Sequence, residues 1–134
     1  MAECPVHARQ RDLVSRVNEL SISVTVTDLG DGSCSVVHVA GEADLATTPS
    51  LGDVLTAEAS KKPGLLLVDL SALQFIDSCS IRMVLFAARE VRQYGGTLAL
   101  INPSSVVARV VQIMGVDQLI PVHDSVDEAI ARVD

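Results

Sequence analysis

Aromatic residues are almost missing from this chain: its 134 residues hold no Trp, one Tyr and two Phe. Stacking platforms for bases or sugars need such rings, so grooves for single strands or glycans are poor readings. Positive charge is also short. Ten Lys and Arg stand against seventeen Asp and Glu, a formal charge of −7, and such a surface repels nucleic acid and anionic membrane. No apolar run approaches the roughly 18–20 residues that span a bilayer, and no hydrophobic segment of signal-peptide type opens the sequence. A cytoplasmic protein is expected, with no membrane or nucleic-acid partner. Cysteine is limited to Cys4, Cys34 and Cys79; three cannot all pair within one chain, and they read as reduced thiols. A glycine-rich phosphate loop is absent, which weighs against tight nucleotide binding.

What is abundant is Val, Leu, Ala and Ile, in a chain of one domain's length with 49% apolar residues, enough for a real core. Residues 1–18 set three Arg against two acids without an apolar period, and read as a tail with a short helix over Leu13 to Val17. Within it, Cys4 and His7 form a C-x-x-H pair, but two ligands do not make a zinc site. From Leu20 the alternation Leu-Ser-Ile-Ser-Val-Thr-Val-Thr is a half-buried strand. Leu29-Gly30-Asp31-Gly32 is turn chemistry, and a second strand over Cys34 to Val39 completes a hairpin. Thr47 or Thr48 can cap a helix with Pro49 in its first turn. Leu65 to Val68, after Pro63-Gly64, is an unbroken apolar run that suits a strand buried on both faces.

Helical spacing then places Ile81, Val84, Leu85, Ala88 and Val91 on one face until Gly95-Gly96 stops the helix. Thr97 to Ile101 is a further strand, Pro103-Ser104 opens a third helix closed by Gly115, and Leu119 to Val122 is a last short strand. Ser125-Val126-Asp127-Glu128 is a capping box for a terminal helix over Ala129 to Val133. The pattern predicts a single α/β domain over residues 19–134, with a mixed, mostly parallel sheet opened by an antiparallel hairpin and four helices packed on one side.

Chemistry concentrates where the central strand meets its helix, at Phe75-Ile76-Asp77-Ser78-Cys79-Ser80. Asp77 and Ser78 are both good N-caps, and the first turn is expected to present one carboxylate, two hydroxyls and one thiol to solvent at the positive end of the helix dipole. Arg82, Met83 and Phe86 fall off the main apolar arc, and a Met-Phe pair flanked by Arg suits a contact surface. Cys79 could act as a redox sensor with a depressed pKa, but His38 and His123 are distant in sequence and catalysis is not expected. Asp69 and Asp77 are explained as a strand-end carboxylate and a cap, so no metal or cofactor is implied.

From about Leu20 to Val133 the chain resembles the STAS domain, and within it the bacterial anti-sigma factor antagonists, or anti-anti-sigma factors. The matching residues are Gly41-Glu42-Ala43-Asp44 with Thr47, Val68-Asp69-Leu70-Ser71, Phe75-Ile76-Asp77-Ser78, Gly95-Gly96, and Asn102-Pro103-Ser104 with Arg109. The resemblance implies a regulatory protein that binds an anti-sigma factor with kinase activity and frees a sigma factor. It also implies phosphorylation at Ser78, which abolishes binding, and a serine phosphatase that restores it. The partner would meet Glu42, Asp44, Thr47, Asp77, Ser78, Cys79, Ser80, Arg82, Met83 and Phe86 on a monomer or weak homodimer. The family commonly continues after its acceptor with Ser or Thr, Gly, an apolar residue and Gly; here Cys79, Ser80, Ile81 and Arg82 stand instead. The alternative is a STAS adaptor without phosphorylation, for instance in a transporter complex, or a regulator tuned through Cys79.

Overall fold

A computed structural model describes residues 8–17, 20–28, 33–44 and 47–131. Its centre is β4 (Leu65–Ile76), whose first half is the apolar run that has no polar side to give to water. Around it the chain lays down β1 (Ala8–Val17), β2 (Leu20–Asp28), β3 (Ser33–Ala43), α1 (Thr48–Ser60), α2 (Ser78–Gln93), β5 (Thr97–Ile101) and α3 (Ser105–Ile113). A 3₁₀ turn (Val116–Gln118), β6 (Val122–His123) and α4 (Val126–Ala131) complete it. The six strands form one sheet in sequence order. β1, β2 and β3 run antiparallel, and β3 through β6 are parallel, so the mixed α/β architecture is as the sequence pattern predicts.

The distribution of helices differs from the prediction. Leu66 and Val68 of β4 pack with Val37, Leu100, Ile81, Val84, Leu55 and Val107, the core beneath α1, α2 and α3. Leu65 and Leu67 point the other way, into a second cluster with Cys34, Val36, Ala99, Ile101 and Ala129 of α4. Three helices therefore cover one face and α4 covers the opposite one. A strand apolar on both sides needs a cover on both, and the last helix is the remaining element able to supply it.

Two further expectations are corrected. The helix predicted over Leu13 to Val17, within the expected tail, is instead part of β1, paired with β2 from Ala8↔Thr27 to Val17↔Leu20 across an irregularity between Arg11 and Ser15. It is the outer strand of the sheet, and it forms by pairing with β2 without an apolar period of its own. Cys4 and His7 lie outside the described residues, as does the turn at 29–32. The strand expected from Leu119 is reduced to Val122–His123: Gly115, at φ 73°, starts the 3₁₀ turn that buries Val116.

One irregularity positions the functional end. Pairing of β4 with β5 stops at Asp69↔Ile101, whereas pairing with β3 continues to Ala43↔Ile76 through two register shifts, one after His38 and one after Gly41. Gly41 adopts φ 99°, a conformation open to glycine at little cost. The β3–β4 ribbon thus overruns the rest of the sheet and carries Glu42 and Asp44 to the same place as Asp77 and Ser78.

Candidate functional site

The ribbon ends in hydrogen bonds that set the start of α2. The Asp77 amide donates to the Ala43 carbonyl at 3.0 Å, tying the last residue of the β4 connection to the end of β3. Asp77 is extended (φ −104°, ψ 178°) and its carboxylate accepts the Ser80 amide at 2.9 Å, which is N-cap geometry. Ser78 is consequently the first helical residue, with an exposed side chain.

The neighbouring Asp44 turn is built in the same way. The Thr47 amide donates to Asp44 Oδ1 at 3.2 Å, while Thr47 Oγ1 accepts the Asp44 amide at 2.9 Å and lies 3.2 Å from the Glu42 carbonyl. Thr47 is 1% exposed. It shapes the turn and is not a partner-facing residue, which corrects its place in the expected contact surface.

Ser80 is corrected likewise. It is fully buried, so the first turn of α2 offers one accessible hydroxyl and not two. Cys79 is half-buried and Asp77 half-exposed. Met83 is half-buried, its sulfur packed so close to Gly52 of α1 that a Cβ there would meet it at 2.7 Å. Phe86, by contrast, is 51% exposed, and Arg82 is exposed beside it. The structure therefore brings Glu42, Asp44, Asp77, Ser78 and Cys79 together at the sheet end, continues the surface through Arg82 and Phe86, and withdraws Thr47, Ser80 and much of Met83.

Two supports were not legible in the sequence as supports. Ser104 Oγ donates to the Leu73 carbonyl at 2.7 Å, pinning the overrunning strand to the start of α3. Asn102, at φ 47°, turns the chain there, with its amide donating to the His123 carbonyl at 2.8 Å. Lower in the sheet, His38 Nδ1 lies 2.7 Å from Asp69 Oδ2 at the register shift. Burial raises the Asp69 pKa, but hydrogen bonds from Ser71 and His38 outweigh it and hold the carboxyl below its ordinary value.

By the two-residue alternation of β3, His38 lies on the face of Cys34 and Val36, opposite α2, so it cannot serve Cys79 as a base. Burial pushes the Cys34 thiol up to about 11, leaving it protonated near neutrality. Among the described residues no group of three or more His, Cys, Asp or Glu is placed to hold a metal ion, and no helix is long and apolar enough to cross a membrane. What the site offers is an acidic rim around one free hydroxyl.

Comparison with known proteins decides the family. The STAS domain model matches residues 25–129. The chain belongs to the STAS domain family. This STAS domain is 29% identical over 101 residues to the anti-sigma-F factor antagonist RsfA of Mycobacterium tuberculosis, covering 74% of this chain and 79% of that protein. Its fold matches the crystal structure of an anti-sigma factor antagonist from Mycobacterium paratuberculosis with a TM-score of 0.69, at 23% identity and 97% coverage of both chains. It also matches the Bacillus cell fate determinant SpoIIAA in its phosphorylated form, with a TM-score of 0.57 at 26% identity, over 75% of this chain and 91% of that one. The two larger departures from the family's usual glycines have different settings. Ser80 fills a fully buried slot and stays small, while Arg82 projects from an exposed position where size costs no packing.

Proposed function

We propose that this STAS domain is an anti-sigma factor antagonist that binds an anti-sigma factor with serine-kinase activity and so releases a sigma factor for transcription. Phosphorylation of Ser78 switches the binding off, and a serine phosphatase restores it. The observation that carries this reading is Ser78 itself: an exposed hydroxyl on the first residue of α2, with Asp77 before it and the Glu42–Asp44 turn alongside. The names of RsfA and the mycobacterial structural neighbour, and the phosphorylated form of SpoIIAA, support it.

The physics of the switch follows from placement. A phosphate adds about −1.5 to −2 charges near neutral pH. The first-turn amides and the helix dipole stabilise an anion there, so the fold tolerates it. A partner fitted to a neutral serine within an acidic rim meets repulsion and an uncompensated desolvation cost instead. Binding changes while the structure stays. The protein acts by contact rather than by catalysis, without a cofactor.

Incubation with the anti-sigma kinase and ATP, read by intact-mass spectrometry, tests the acceptor. The wild type gains one phosphate and Ser78→Ala gains none; a wild type that gains nothing, or an equal gain in Ser78→Ala, contradicts the reading.

A further inference from the structure

A second cluster of exposed apolar side chains lies away from Ser78. On α3, Val106, Val110, Ile113 and Met114 recur at intervals that place them along one side. Val106, Ile113 and Met114 remain 54%, 74% and 46% exposed, and Leu119, just past the 3₁₀ turn, 59%. Beside Leu119 a recess of about 250 Å³ opens between the end of α2 and the start of β5, with Ala88 and Arg92 on its wall. Arg92 Nη2 reaches the Leu119 carbonyl at 3.5 Å and so links the two elements. Leu119 lines the recess and α3 packs against the 3₁₀ turn that leads into it; exposed apolar side chains beside a recess mark a contact site.

Charge selects its occupant. Residues 78–123 carry Arg82, Arg89, Arg92 and Arg109 against Glu90 and Asp117, a net +2 that leaves −9 for the rest of this −7 chain. Arg82, Arg89 and Arg109 are exposed and form no ion pair among the described residues. Of these only Arg109 belongs to this face, together with Arg92 at the recess, and a two-fold dimer through it would bring both towards their own copies. Nucleic acid and anionic lipid are repelled by the remainder of the molecule. A protein segment with acidic flanks and apolar anchors suits both halves of the surface: an anchor enters the recess, and flanking carboxylates meet Arg92 and Arg109.

We propose that the arginine-framed apolar surface formed by α3, the C-terminal end of α2 and Leu119 docks an acidic amphipathic helix of a protein partner, whatever the state of Ser78. Ser78 and Arg92 are fourteen residues apart on one helix, roughly 21 Å at 1.5 Å per residue. That is more than twice the screening length of about 8 Å at physiological ionic strength, so a phosphate at one end is scarcely felt at the other. The inference does not depend on Ser78 being a phosphoacceptor.

The test uses two labelled helical peptides of about four turns, with Leu at alternating heptad positions and either Glu or Lys flanking them, titrated against the full chain by fluorescence anisotropy. The Glu peptide is predicted to bind at least about tenfold more tightly than the Lys peptide. The exposed-site variant Ile113→Asp/Leu119→Asp should weaken it by about tenfold or more, and Ser78→Asp should change it by less than about twofold. Equal affinity for both peptides, or no binding of either, overturns the proposal. So does a loss in Ser78→Asp matching that of the double variant. Wild-type self-association abolished by Ile113→Asp would assign the face to a second copy, and binding to anionic vesicles would assign it to a membrane; either result also overturns it.

Discussion

Ser78 and Ser80 are two residues apart and chemically identical, yet their environments give them opposite roles. Ser78 is exposed on the first helical residue, so Ser78→Ala should alter unfolding free energy by no more than about 0.5 kcal/mol while removing the proposed phosphoacceptor. Ser80 is fully buried, and Ser80→Leu should cost about 1–3 kcal/mol through overpacking. Asp77→Ala removes the cap on the Ser80 amide and should cost about 1 kcal/mol. Chemical denaturation of the three variants gives the ranking, and a Ser78→Ala loss as large as that of Ser80→Leu would contradict it. Asp69 sets a pH dependence with a definite sign. Its folded pKa is depressed, so its contribution is complete above the unfolded value of about 3.9 and is lost as pH falls from there through the folded value. Acid titration of stability should show a shallower fall in Asp69→Asn than in the wild type below about pH 4; identical slopes would contradict the pairing with Ser71 and His38.

At the scale of elements, the placement of α4 carries the clearest consequence. Ala129 is 1% exposed in the cluster that also encloses Cys34. Ala129→Asp buries an unpaired charge, should destabilise by at least about 2 kcal/mol, and should open Cys34 to alkylation, mapped by peptide mass. Unchanged labelling of Cys34 would show that α4 does not cover it. Local patterns had made much of this fold legible. The unbroken Leu65–Val68 run identified the doubly buried strand, and Asp77 before the Ile81-Val84-Leu85 spacing identified the start of α2. Ser125 and Glu128 predicted the cap of α4, where Ser125 Oγ accepts the Glu128 amide at 3.0 Å. Hidden were features that depend on partners far along the chain. β1 lacks its own apolar period and exists by pairing with β2. The side of the sheet taken by α4 is decided by which face the other helices leave open. The Ser104–Leu73 bond joins residues 31 apart and forms only because β4 outruns β5. Likewise, the burial of Thr47 and Ser80 could not be read from residue type, since small polar side chains serve equally as caps, turn bonds and contact groups.

For the molecule as a whole, the proposed function rests on how charge is distributed over the fold. Glu42, Asp44 and Asp77 gather at one end of the sheet, while four arginines line α2 and α3. Under the proposed function, a phosphate on Ser78 would fall within the acidic end, at a helix terminus able to hold it, so its effect would be directed outward to a partner rather than inward to the core. Arg82, four residues beyond Ser78, is near enough on the helix surface to share that charge, and phosphorylation should leave unfolding free energy within about 1 kcal/mol of the unmodified chain. The most direct test is a titration of the anti-sigma factor with the unmodified and the Ser78-phosphorylated protein by calorimetry, with amide NMR spectra recorded on both forms. We predict that affinity falls by at least about tenfold while shifts in the amide spectrum stay confined to residues around 42–44 and 77–82. Equal affinities, or spectral changes spreading through β4 and the core, would contradict the account.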